Sequence, residues 1–405
     1  MRYAVFVAPY FLDTTVRFIA AAASLPDVRL GLISTDPEER LPDRVRALLA
    51  GHYRVDDATD AQQIADATRA LSGHLGGVDR LIGMLEQLQV PLGEVRDALE
   101  IDGIGAEVAR NFRDKSRMKD VFRAHSVPCA GHALTASAEG ATRAVATLGY
   151  PLVVKPPAGA GARSTFRIDG PEQLTAWLRA DPPSPAQPAL LEQLVTGDEH
   201  SFDSVVVQER LAWHSISQYL PTPLQVLENP WIQWAVLLPR DIDGGEYDGI
   251  RDAAQRGLHA LGLRTGLTHM EWFRRPDGSV MISEVAVRPP GAQFTSLLSY
   301  AHDVDFYSAW ARLEIFGDFV VPERRWAVGA AYLRGQGTGA VSAVHGLDVL
   351  QHELGELVVE ARMPEPGQHP SGTYEGEGYV IMRHPDTAVV ERALRRVVEV
   401  ARVEL

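Results

Sequence analysis

The segment Pro151-Leu-Val-Val-Lys155 carries a lysine from a short apolar run directly into Pro156-Pro-Ala-Gly-Ala-Gly-Ala162. No regular element tolerates such a turn. The lysine offers a point charge, and Gly159 and Gly161 let backbone amides approach an anion closely. A triphosphate asks for that combination. Taken alone, the segment reads more readily as an ordinary strand-to-turn boundary. Two glutamates sharpen the picture. Glu271 lies in Thr268-His-Met-Glu-Trp-Phe273 and Glu284 in Ile282-Ser-Glu-Val-Ala-Val-Arg288, with a Pro276-Asp-Gly278 turn near the midpoint between them. That pattern predicts an antiparallel hairpin with the two carboxylates on neighbouring strands. Close carboxylates repel and call for a cation, and magnesium is held by one or two carboxylates together with phosphate oxygens. The plainer alternative, two exposed strand glutamates, fits less well because each sits at the apolar centre of its run.

A third segment, Leu190-Leu-Glu-Gln-Leu-Val-Thr-Gly-Asp-Glu199, is a strand ending near Glu192 and Leu194 and turning into Glu199. Its backbone could pair with an adenine edge and its carboxylate could accept from ribose hydroxyls. Alone it reads as an ordinary strand and turn.

These segments need elements to hold them. Strands expected at 3–8, 29–34 and 79–84 alternate with helices at 14–23, 42–50 and 61–75, the signature of βαβ units and a parallel, Rossmann-like sheet. The first strand is not followed by G-x-G-x-x-G, so a dinucleotide fingerprint is absent. Asp114 caps a helix over 114–124. A helix at 137–148 and a strand at 151–155 follow. Residues 181–188 form a proline-rich surface loop. The chain is strand-like from 189 to 219, helical at 245–261 and 306–316, then β-rich until a final helix at 387–400.

The chain has 405 residues, too many for one simple core. Apolar residues make up 45% and charged residues 23%, as in ordinary globular proteins. The net charge of −14 argues against a nucleic-acid-binding surface. The single cysteine, Cys129, excludes an intrachain disulfide and any multi-thiolate metal site, which fits a reducing cytoplasm. The apolar start reads as a first strand rather than a targeting segment, and no run is long enough to span a membrane.

In this order, Arg113-Asp-Lys-Ser-Arg-Met118, Pro151–Lys155, Leu191–Glu199, His269-Met-Glu271 and Glu284-Val-Ala-Val-Arg-Pro-Pro-Gly291 resemble the motifs of the ATP-grasp superfamily. The resemblance covers most of the chain. It implies an α/β and α+β ATP-grasp fold: an N-terminal Rossmann-like domain at 1–110, a small lobe at 111–195, a large lobe with the metal site at 196–320, and a β-rich C-terminal subdomain at 321–405. It implies that Lys115 and Lys155 hold ATP phosphates and that Gly159 to Ala162 lie in a loop that covers them. By the same likeness, Glu192 and Leu194 read adenine through the backbone and Glu199 binds ribose. Glu271 and Glu284 become ligands for Mg2+ or Mn2+, and Arg288 stabilises an acyl phosphate. Many members carry Asn where this chain has Ala286, which puts one metal contact in question. Ala330-Ala-Tyr-Leu-Arg334 and Gly378-Tyr-Val-Ile-Met382 resemble, less closely, the C-terminal part of L-amino-acid ligases.

The implied activity is ATP-dependent joining of a small carboxylate to a small amine, in the cytoplasm, by a chain that could be a homodimer. The rivals are a purine-pathway-like carboxylation or ligation, and a nucleotide-binding regulator without catalysis. Around this centre, His269 shares a strand face with Glu271 and is either a substrate contact or a satisfied strand histidine. Trp231 and Trp234 are either a substrate loop or the cap of a core. Cys129 reads as a structural thiol, Arg240 and Arg251 as surface arginines, and 335–339 as a plain turn.

Overall fold

The structure is a computed structural model that describes residues 1–159, 165–229 and 232–405. The expectations for Gly161 and Trp231, and for most of the loop from Gly159 to Ala162, lie outside the described residues.

The first part of the chain forms a four-stranded parallel sheet in the order Gly51–Arg54, Val28–Ser34, Arg2–Val7, Arg80–Ile82. Its strands are apolar on both faces because helices cover both. The helix Ala61–Leu75 packs Ile64, Leu71 and Leu75 against Val5 and Val7, while Asp13–Ala23 packs Phe18 and Ile19 against Ala4 and Phe6. The helix expected over 42–50 shrinks to Asp43–Arg46, because the chain must reach the strand that starts at Gly51.

A second, antiparallel sheet runs in the order His132–Thr135, Ala189–Gln193, Leu152–Lys155, Phe166–Ile168. The helices Ala138–Leu148 and Pro171–Ala180 cover one face, where Leu152, Val154 and Leu191 meet Ala141, Leu174 and Trp177. Strand alternation then turns Lys155 and Glu192 to the opposite face.

The largest sheet has eight strands, in the order Val280–Ala286, Gly266–Arg274, Asp198–Val207, Arg210–Leu220, Trp234–Leu238, Ala327–Leu333, Gly378–His384, Val358–Arg362. Every neighbouring pair in it is antiparallel. The boundary expected at 320 does not divide this sheet, because Trp234–Leu238 pairs with Ala327–Leu333. Two helices, Phe294–His302 and Phe306–Phe316, lie between it and the N-terminal sheet. Trp310 meets Phe18 at 4.9 Å on one side, and Phe306 meets Trp213 at 4.9 Å on the other. Both sheets therefore share one core. The proline-rich stretch before Pro230 contains a short helix, Pro223–Glu228, held by a Thr222–Gln225 capping box.

Candidate active site

The hairpin supplies the carboxylates. Gly278 adopts φ +81° in its turn, a conformation glycine takes freely. Glu271 stands directly opposite Glu284 in the register. A bulge follows at once: Trp272 pairs with Ile282, leaving Ser283 as the extra residue. This bulge decides the site. Without it, Ile282 and Glu284 would share a face. With it, Ile282, Val285 and Val287 pack with Met270 and Trp272 in the core, and Glu284 turns with Glu271 to the cleft.

The lysines come from two other elements. Asp114 accepts hydrogen bonds from the amides of Ser116 (2.9 Å) and Arg117 (3.1 Å), fixing the start of the helix Lys115–Ala124. Lys115 Nζ lies 3.0 Å from Glu284 Oε2 and donates to the Gly159 carbonyl at 3.0 Å. Lys155 Nζ lies 3.1 Å from Glu192 Oε1. That contact is an ion pair off the hydrogen-bond direction, and Glu192 Oε1 has no directed donor. Lys119, one helical turn beyond Lys115, approaches Glu192 Oε2 at 3.4 Å.

These charges set one another. Burial pushes the Glu284 carboxyl up, but Lys115 and Lys155 overcome it and hold it well below the ordinary carboxylate range. Glu192 is likewise held down against burial by Lys119 and Lys155. Burial opposes the Lys155 ammonium, yet Glu192 and Glu284 keep its pKa above the usual lysine value. Glu271 moves the other way: burial and the Glu284 charge raise it. Glu199, in the strand Asp198–Val207, is raised by burial and by Glu271 and Glu284.

Arg288 pairs with Glu86, which stands on a short turn, Glu86–Leu88, of the N-terminal domain. Arg113 reaches the same carboxylate at 3.4 Å and the Gly159 carbonyl at 3.2 Å. His269 Nδ1 sits 2.6 Å from Asp203 Oδ1, and its Nε2 lies 3.3 Å from the Tyr219 hydroxyl and 3.9 Å from Glu271 Oε1. Burial works against charged His269, but Asp203 keeps its pKa above the ordinary histidine range.

The structure thus gathers Lys115, Lys155, Glu192, Glu271, Glu284, His269 and the Gly159 carbonyl into one cleft, with Glu199 close enough to feel its carboxylates. Two sequence expectations meet different surroundings. The Leu194 amide is already engaged by the Pro151 carbonyl at 3.1 Å. The Glu192 backbone is tied to His132 and Val153 in the sheet, and its side chain faces the lysines. Trp234 has the surroundings of a core residue: it is 2% exposed, stacks on Tyr332 at 4.6 Å and donates to the Pro221 carbonyl. Ala286 stands opposite His269. Sequence reading missed Glu86, Arg113, Lys119, Asp203 and Tyr219. Of these, Arg113 heads the quoted Arg113–Met118 motif without a role assigned to it, and Lys119 carried a signal in its i+4 spacing from Lys115 on a capped helix.

The donor set suits a divalent cation. Burial first, and then the neighbouring carboxylate charges, raise Glu199 and Glu271, and a 2+ ion would offset that repulsion. Among the described residues no group of three side chains forms that could hold a metal ion by itself, and a magnesium ion held by two carboxylates would take its other ligands from phosphate oxygens and water.

No family model matches the chain. Over 271 residues it is 23% identical to an L-arginine-specific L-amino acid ligase of Bacillus subtilis, a match that takes in 66% of this chain and 64% of that protein. The chain therefore spans just under two thirds of that relative's length. A D-alanine–D-alanine ligase of Chlorobium luteolum is 26% identical over 281 residues, 67% of this chain and 75% of the relative. Among solved structures, the L-amino acid ligase from Bacillus licheniformis superposes with TM-score 0.79 at 16% identity, covering 100% of this chain and 98% of that one. The N5-carboxyaminoimidazole ribonucleotide synthetase from Thermotoga maritima gives 0.72 at 17% identity, covering 100% and 99%. The fold is the ATP-grasp fold, and the chain resembles the carboxylate–amine ligases built on it.

Proposed function

We propose that the chain is an ATP-dependent ligase that joins a small carboxylate to an amine through an acyl phosphate, releasing ADP and phosphate. The observation that carries this reading is the direct pairing of Glu271 with Glu284, with Lys115 on Glu284. In this reading Lys115 and Lys155 hold the ATP phosphates. Glu271 and Glu284 hold Mg2+ or Mn2+, which supplies charge neutralisation on the transferred phosphoryl group. A substrate carboxylate oxygen attacks the γ-phosphorus, and the bond to ADP breaks. The amine nitrogen then attacks the carbonyl carbon, loses a proton and expels phosphate. Arg288, oriented by Glu86, neutralises charge on the carboxylate and the acyl phosphate. Ala286 offers no side-chain donor, so a bound metal would rely on Glu271 and Glu284. The reading includes a cytoplasmic setting and a homodimer. No helix among the described residues is long and apolar enough to cross a membrane.

The fold likeness to the carboxyaminoimidazole synthetase supports a second reading, ATP-dependent carboxylation. Phosphate release, measured over a panel of carboxylic acids with and without amines and followed by product masses, separates the two. The ligase reading expects release that needs both partners and yields an amide mass. Release driven by bicarbonate favours carboxylation. Tight ATP binding with no turnover on any pair points to a regulator.

A further inference from the structure

Lys119 is completely buried, an unusual place for a lysine unless it is paired and hydrogen-bonded. Its ammonium has two partners in different lobes. It donates to the Ser283 carbonyl at 2.8 Å and lies 3.4 Å from Glu192 Oε2. Ser283 is the extra residue of the bulge, and the strand Val280–Ala286 is the edge of the eight-stranded sheet. An edge strand has no further strand to hold its outward backbone groups. Here the neighbouring segment does so: the Ile282 amide donates to the Pro128 carbonyl at 2.9 Å, and Lys119 takes the Ser283 carbonyl. The Cys129 thiol points back at the Lys119 carbonyl, 3.8 Å away, closing the patch.

We propose that Lys119 is a positioning residue, one that fixes the Ser283 bulge so that Glu284 faces the cleft and shares the Glu192 carboxylate so that Lys155 stays available for phosphate. This rests on the ligase reading above. Each half follows from geometry. A bulge left unsupported at a sheet edge can relax toward regular pairing, which rotates Glu284 toward the core face. Glu192 lies within reach of Lys119 and Lys155 alone among the described cations, so losing Lys119 leaves Lys155 as its sole counter-charge. Lys155 would then be bound more tightly to protein and less to nucleotide.

The two halves separate experimentally in the full-length chain. Mn2+ binding is followed by electron paramagnetic resonance at saturating ADP, and metal-free ADP binding by calorimetry in EDTA. Lys119→Met is expected to weaken Mn2+ binding at least tenfold and to weaken metal-free ADP binding as well. Adding Glu192→Gln to Lys119→Met should restore most of the ADP affinity and none of the Mn2+ affinity. A purely structural lysine predicts lower thermal stability with both affinities unchanged in the folded fraction, and that result overturns the proposal. For a Lys119→Met chain that does not fold, a crystal structure of the wild type with Mg2+ and a non-hydrolysable ATP analogue decides. Glu284 on the metal with Lys119 still on the Ser283 carbonyl supports the role, and a released carbonyl overturns it. A wild type that binds neither Mn2+ nor ADP overturns the ligase reading and this role together. Normal wild-type binding with an unaltered Lys119→Met overturns this role alone.

Discussion

Glu271 and Glu284 are chemically identical and directly paired, yet their environments pull them apart. Lys115 and Lys155 hold Glu284 ionised, whereas burial and its partner's charge push Glu271 toward protonation. Glu284→Gln keeps the shape and removes the charge. It should lower kcat by roughly 10²–10³-fold, the scale of losing one electrostatic contact to the reacting group. Its melting temperature should stay close to wild type, because Lys115 keeps the Gly159 carbonyl. Phosphate-release kinetics beside a thermal melt check both, and near-normal turnover would refute the role of Glu284.

At the scale of elements, the site depends on where strands begin as much as on their side chains. The strand carrying Glu199 starts after Gly197, whose φ is +152° and whose absent Cβ would lie 2.2 Å from the Arg274 carbonyl oxygen. Only glycine lets these two segments meet. Gly197→Ala should cost roughly 1–3 kcal/mol through backbone strain, with the contact to Arg274 adding to it. A lower urea midpoint with an unchanged slope is the expected signature. An unaltered midpoint would mean that the turn can rearrange freely. The capped helix Lys115–Ala124 and the hairpin play the same part: each is a short local structure that delivers charge to a point it cannot itself define.

Across the whole molecule, the last part of the chain completes the sheet that carries Glu271 and Glu284. Ending the chain at residue 320 would remove the strand paired with Trp234–Leu238 and strip Tyr332 from Trp234. Such a fragment should be insoluble or unfold without cooperativity, whereas a soluble fragment with a sharp melt would show that the first 320 residues form an independent core. Acid stability is also a property of the whole fold. Burial lowers the pKa of His200, His214 and His302 to about 4, so the folded chain resists protonating them. The unfolded chain takes up those protons near the ordinary histidine pKa of about 6.5. Their contribution is therefore complete above that value and is lost as pH falls from 6.5 toward 4. Melting temperature should drop across that window. His214→Phe should flatten part of the drop, because the ring already stacks on Phe202 and its Nε2 has no hydrogen-bond partner.

Sequence alone determined what is local. Periodicity located the helices Ala61–Leu75, Phe306–Phe316 and Thr387–Val400, and capping chemistry placed Lys115 at a helix start. A turn of the right composition set Glu271 opposite Glu284. These are legible because hydrogen-bond patterns and turn preferences act over a few residues. Tertiary structure decided the rest. Arg288 and Glu86 meet across 202 positions, and Lys119 reaches Ser283 across 164. No short-range pattern encodes such encounters, because they depend on how separately folded sheets pack. The bulge at Ser283 belongs to the same class. Regular alternation would put Ile282 and Glu284 on one face, and only the packing of Ile282 into the core, with Lys119 holding the carbonyl between them, turns Glu284 outward to the cleft.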